Sequence, residues 1–337
     1  MRVLIVGNPL EYHVGGHLLA AARSIGWEAE VADLRDSKSS NPWINRICHH
    51  GLGKRPARLK TFGHAVVRRC GEFQPDFVIT SGLAPLPVDA MQQIRAMGIK
   101  LVNFLTDDPW NPSNTATFFW DCLREYDLVA NPRQANLEQL RDHGCRRVEY
   151  LPFGYNPDYH FIEQNPTPDE VKRFGCEVAI LGGADADRVP LARALAAANM
   201  DLALYGGYWD KYPELKRFHR GSVFGRDLRL AVQLARCHVC MGRMANRDGH
   251  AMRSVEFPAM GACLLVEDTE EHRVLYGSPG ETVLYWQNEA TLVTQAATIV
   301  GDQELSQDLR NSLYTRMVVN GKHTYADRLD TIVSLIF

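Results

Sequence analysis

Asp248-Gly-His-Ala-Met-Arg253-Ser254-Val-Glu256-Phe-Pro-Ala-Met-Gly261-Ala-Cys-Leu-Leu-Val266 opens with a polar, glycine-containing loop. A short helix follows over residues 254–260, and Gly261 ends it before a buried strand at 263–266. Residues 238–241 form a further strand just ahead of the loop. Strand, loop, helix and strand in that order are the repeating unit of a parallel sheet covered by helices. A helix start presents unpaired N–H groups and partial positive charge, which suit a diphosphate. Arg253 and Arg247 are placed to add charge-assisted hydrogen bonds to phosphate oxygens. Glu256, one turn in, is placed to accept both hydroxyls of a ribose. Spacing alone fits equally well a surface loop and an amphipathic helix with an ordinary exposed glutamate.

The same alternation runs outward in both directions. Toward the N-terminus, strands read at 177–181 and 201–205, with helices at 189–198 and 227–235. Beyond 266 come a helix at 271–276, a strand at 282–285 and helical segments from 289 to about 335. The first half repeats the pattern, with strands at 3–6, 28–32, 76–80, 100–105, 128–130 and 148–151. Helices at 17–24 and 88–97 lie between them, closed by Gly26 and Gly98. Pro152, Pro157, Pro166 and Pro168, with polar residues between, mark a linker. Two doubly wound α/β domains of similar size result, 1–155 and 170–320, with 321–337 as a C-terminal helix packing back on the first. Ligands in such sheets bind beyond the carboxyl ends of the strands, so two of them facing a cleft suit a donor and an acceptor.

Bulk properties agree. A chain of 337 residues with 45% hydrophobic and 23% charged content is long enough for two cores and ordinary for a folded protein. The apolar runs are strand-length, too short to span a membrane, and the start reads as a buried strand rather than an export signal, which gives a cytoplasmic expectation. Eight scattered cysteines fit reduced, buried thiols. Cys237 and Cys240 have the spacing of a redox or zinc pair, but they run into a buried strand and have no second pair, so they read as core.

Several blocks in order resemble the GT-B glycosyltransferases of the "glycosyl transferases group 1" set, and within it the CgeB-like spore-maturation branch. They are Thr106-Asp107-Asp108-Pro109-Trp110, Asn131–Asn136 through Leu151–Pro157, Leu181-Gly182-Gly183 with Asp187-Arg188, Tyr205-Gly206-Gly207-Tyr208-Trp209, the Glu256 block, and His323-Thr324-Tyr325-Ala326-Asp327-Arg328. The resemblance covers roughly residue 75 to the C-terminus. It implies a GT-B fold of two Rossmann-like domains and transfer of a hexose-like sugar from a nucleoside diphosphate sugar, with UDP-sugar favoured. Glu256 aligns with the glutamate that binds the donor ribose. Asp248 stands where the motif usually has glutamate, one methylene longer. Arg188 resembles the base that neutralises the diphosphate, and Tyr205-Gly206 closes the strand where the nucleobase lies. Gly15-Gly16 before His17 resembles the glycine pair that approaches donor phosphate and acceptor. Gly182, Arg253 and Ser254 complete the donor set.

On the acceptor side, Asp107 or Asp108 ends a strand, and either carboxylate, or His17, is a candidate to take the acceptor hydroxyl's proton. Asp-Pro is also a turn opener. No cofactor is expected, and residues 7–17 lack the glycine spacing of a nicotinamide site. His13 and His17 have no third ligand nearby. Asp185-Ala-Asp187 mimics the metal-binding acid pair of the other large glycosyltransferase fold, but in the two-domain reading basic residues and helix dipoles neutralise the diphosphate, so no divalent metal is expected either. Between Asn41 and Cys70 lie Arg46, Lys54, Arg55, Arg58, Lys60, Arg68 and Arg69 with no acid. This is a solvated helical face, or a contact for a polyanionic acceptor such as modified DNA or a phosphorylated lipid. Acceptors therefore span glycan, protein, lipid and nucleic acid. A nucleotide-sugar epimerase or a non-catalytic nucleotide-sugar-binding protein are the alternatives.

Overall fold

Strands buried on both faces are continuous apolar runs rather than alternating ones, and this chain has many. The computed structural model describes residues 1–242, 247 and 251–337. These fall into two compact units: Met1–Phe153 with Thr324–Phe337 and Arg247, and 154–242 with 251–323.

The first unit contains β1 (Arg2–Gly7), α1 (Val14–Ser24), β2 (Glu28–Asp33), α2 (Pro42–Gly51), α3 (Leu59–Phe73), β3 (Phe77–Ser81), α4 (Val88–Ala96), β4 (Lys100–Phe104), β5 (Leu128–Asn131), α5 (Leu137–Asp142) and β6 (Val148–Tyr150). The strands pair in parallel in the order β2-β1-β3-β4-β5-β6. Leu4, Val6, Val78, Leu101 and Val129 meet Phe62, Val66, Met91 and Ile94 in its core. The direction of winding reverses between β1 and β3, so the loops after these strands flank the natural ligand crevice of this sheet.

The second unit contains α6 (Pro168–Phe174), β7 (Cys176–Leu181), α7 (Arg188–Ala197), β8 (Leu202–Tyr205), α8 (Gly225–Leu234), β9 (Ala235–Cys240), α9 (Arg253–Ala259), β10 (Leu264–Glu267), α10 (Glu270–Tyr276), β11 (Leu284–Trp286), α11 (Glu289–Gly301) and α12 (Gln303–Tyr314). Its parallel sheet runs β11-β10-β9-β7-β8 and reverses between β7 and β9. Thr167 and Asn288 start α6 and α11 with reciprocal capping boxes. The last helix, α13 (Tyr325–Ile336), belongs to the first unit. It packs on α1, where Tyr325 stacks on His17 with ring centroids 5.3 Å apart. Arg328 Nε donates to Pro152 O (2.8 Å) and Nη2 to Phe153 O (3.0 Å), so one guanidinium fastens the helix to the end of this unit's main segment.

Candidate functional site

The carboxyl ends of β7 and β8 meet in the second unit as a seam of glycines. Gly182 N donates to Tyr205 O (2.8 Å), Ala184 N donates to Gly207 O (2.9 Å), and Trp209 Nε1 donates to Gly182 O (2.9 Å). Gly206 has φ +113°, and a Cβ there would lie 2.6 Å from the Gly182 carbonyl carbon. No other residue type fits that approach. The Tyr205 ring is buried, so at this position the exposed aromatic is Tyr208, three residues on. Tyr208 adopts φ +71°, and Lys211 Nζ sits 4.5 Å from its ring centroid. A bulky residue held in the left-handed region is a sign of constraint.

Arg188 opens α7 directly after this seam. Its backbone N–H donates to Asp185 Oδ1 (2.9 Å), and its guanidinium pairs with Asp185 Oδ2. The arginine expected to neutralise a diphosphate is thus buried and held by the first acid of Asp185-Ala-Asp187. At the end of β10, Glu267 accepts from Gly242 N (2.9 Å). Burial raises its pKa, and neighbouring Asp187 adds to the rise.

Asp248 lies outside the described residues. The helix beyond it, α9, spans Arg253–Ala259 and contains Pro258, so it is too short for much macrodipole. Glu256 on α9 is nearly buried, with 12% of its side chain exposed. Burial lifts its pKa to about 7, against the opposing pull of Arg253. His160 Nε2 stands 3.7 Å from Glu256 Oε1. Asn156 N–H donates to His160 Nδ1 (3.1 Å), which fixes the tautomer with the proton on Nε2, facing the carboxyl. His160 falls in the stretch whose prolines read as a linker, so only the fold reveals it beside Glu256.

Ser254, expected among the donor contacts, is fully buried and turned inward. His272 Nδ1 donates to Glu267 O (2.9 Å), leaving Nε2 to accept from the Ser254 hydroxyl (3.2 Å). Burial lowers the His272 pKa to about 4, in keeping with this neutral form. Tyr276 Oη donates to Ser254 O (2.6 Å). Ser254 therefore anchors α9 to α10.

In the first unit, the β1–α1 loop explains both glycines of the Gly15-Gly16 pair. A Cβ at Gly15 would fall 2.6 Å from Asn8 O, and one at Gly16 would collide with Leu10 O. His17 is buried, and burial, with His13 beside it, lowers its pKa to about 4. Asp107 and Asp108 part company. Asp108 is buried, caps Trp110 N (3.0 Å), and receives Arg247 Nε (2.5 Å) and Nη2 (3.1 Å) in a bidentate pair. Arg247 Nη2 also donates to Asn136 Oδ1 and Gln139 Oε1, both 2.7 Å. Arg247, expected from the sequence at a phosphate, is held instead by Asp108. Asp107 is only half-buried and accepts from Thr106 Oγ1 (3.1 Å). Cys237 and Cys240 lie buried in β9, and burial raises both thiols, Cys240 to about 11, which makes them core rather than redox groups.

Residues 188–334 match the family of glycosyl transferase-like domains. No curated protein matches the chain. Among solved structures, it is similar to sucrose-phosphate synthase from Thermosynechococcus elongatus, with TM-score 0.69 and 13% identity over 100% of this chain and 99% of that one. The Anabaena protein HepE in complex with UDP-glucose gives TM-score 0.66 and 13% identity over 99% and 100% of the two chains. An E. coli trehalose-6-phosphate structure bound with UDP-2-fluoro glucose gives TM-score 0.67 and 13% identity over 100% and 99%. The fold so defined is two parallel-sheet units of GT-B type, with residues 188–334 similar to glycosyl transferase-like domains. Among the described residues no helix is long and apolar enough to cross a membrane.

Proposed function

We propose that the protein transfers a hexose-like sugar from a nucleoside diphosphate sugar, with UDP-sugar favoured, to an acceptor held by its first unit. The observation that carries this reading is the arrangement at the reversal between β7 and β9. The glycine seam and Arg188 follow β7, and the helix bearing Glu256 follows β9. In this reading Glu256 accepts the ribose hydroxyls, with His160 positioning it. The diphosphate lies by the seam, where Arg188 exchanges Asp185 for phosphate oxygens and Arg253 adds a second charge. Tyr205-Gly206 and the Tyr208 ring border the base. Two guanidiniums stabilise the leaving diphosphate without a divalent metal, so chelator leaves the rate unchanged. For an inverting transfer, the acceptor oxygen attacks the anomeric carbon, the bond to the diphosphate breaks, and Asp107 takes the proton. Asp107 is the better placed base because Asp108 is paired with Arg247 and His17 is fully buried, whereas Asp107 is half-exposed. The ordered blocks quoted from the sequence support the CgeB-like branch.

A thermal-shift screen with UDP, GDP, dTDP and CMP tests the donor assignment. UDP is expected to raise the melting temperature, and Glu256→Ala to remove the rise. A Glu256→Ala protein that responds fully would overturn the role of this residue. Conversion of a UDP-sugar with no acceptor present would identify an epimerase instead.

A further inference from the structure

α2 is set off from the rest of the first unit by what it leaves outside. Asn41 Oδ1 caps it by accepting from Trp43 N (2.9 Å), and Pro42 occupies its first turn, so it is well started by its own sequence. Its only buried side chain is Cys48. Trp43 is 71% exposed and Ile47 62% exposed, and at i and i+4 they lie one above the other on the solvent face. Ile44 and Leu52 extend the apolar surface. Arg46 and His50, three residues after Trp43 and Ile47, flank that ridge.

Along the chain from α2 into α3 the charge has one sign. No acid occurs between Asn41 and Cys70. Lys54 is used internally, donating to Pro112 O (3.2 Å). Arg46, Arg55, Arg58 and Lys60 are exposed and form no ion pair among the described residues. A soluble polyanion needs the cations but gives an outward isoleucine nothing to bury against. An apolar ridge with tryptophan, bordered by unpaired cations, matches the boundary between anionic headgroups and acyl chains.

We propose that α2 docks on an anionic lipid surface. Trp43 and Ile47 enter the headgroup–acyl boundary, and Arg46, Arg55, Arg58 and Lys60 meet the headgroups. This goes beyond the transfer reading and does not require it, because the test reads binding alone.

The test is co-sedimentation of the full chain with vesicles of phosphatidylcholine, alone or mixed with phosphatidylglycerol. Binding is expected only to the anionic vesicles. The double change Trp43→Glu and Ile47→Glu is expected to lower partitioning at least about tenfold. Arg46→Gln and Arg55→Gln are each expected to lower it about fivefold. Both apolar residues are exposed, so unchanged melting temperatures will show that the variants fold. Equal binding to neutral vesicles, no binding to anionic ones, or binding indifferent to Trp43 and Ile47 would each overturn the proposal. Preference for a DNA oligonucleotide over anionic vesicles would overturn it too, and would assign the cations to nucleic acid.

Discussion

Replacing Glu256 with glutamine separates the cost of burying this carboxylate from its use in binding. In the folded protein its pKa stands at about 7, above the ordinary 4.5, because burial disfavours the charged form. For an acid raised in this way, the stability gained by protonation is complete below 4.5 and is lost as the pH rises through about 7. At about 1.4 kcal/mol per pKa unit, the difference reaches about 3 kcal/mol at alkaline pH, an upper figure since some solvent reaches the side chain. Glutamine keeps the shape and never ionises. The variant should therefore be more stable than the parent by up to about 3 kcal/mol near pH 8.5, and indistinguishable from it near pH 4. Urea unfolding at the two pH values measures this. Donor binding should move the opposite way, because a ribose diol bonds best to the ionised carboxylate. Parent affinity for UDP should fall by up to about tenfold per pH unit below 7, while the glutamine variant binds weakly at every pH. A stability difference that is the same at both pH values, or a glutamine variant that is less stable near pH 8.5, would refute the burial argument.

Two further outcomes follow from the geometry. Gly206→Ala sets a Cβ 2.6 Å from the Gly182 carbonyl carbon at φ +113°, so it should cost at least about 2 kcal/mol, read as a melting temperature lower by roughly 5 °C or more. Asp107→Asn and Asp108→Asn should differ in kind. The first should lower kcat at least about a hundredfold with little change in melting temperature. The second breaks the bidentate pair with Arg247, and should cost roughly 2 kcal/mol of stability. The reverse pattern, with Asp108 governing kcat, would sink the choice of Asp107.

What could be read from the sequence, and what could not, divides along the range of the forces involved. Most strands of both sheets are legible because a parallel strand covered on both faces must be a short apolar run between turn residues, whereas the edge strand β2 is half-exposed and of mixed composition. The glycines were legible as special, but their reason was not. Gly15 and Gly16 answer to carbonyls of Asn8 and Leu10 in a loop that a ligand need never touch, whereas Gly206 answers to Gly182 on the neighbouring strand. Some of the side chains expected at the donor site have partners far along the chain. Arg247 meets Asp108 across 139 residues, and Ser254 meets His272 across 18. Spacing near one residue cannot report a partner that only the fold supplies. His160 shows the same limit from the other side: prolines around it spell a connector, and its role beside Glu256 depends on Asn156 turning its ring. A polar residue in such a protein is thus read as a ligand group only after the fold has had first claim on it. By that test we propose Glu256, Arg253 and Asp107 for substrate, while Ser254, Asp108 and Arg247 have partners within the fold.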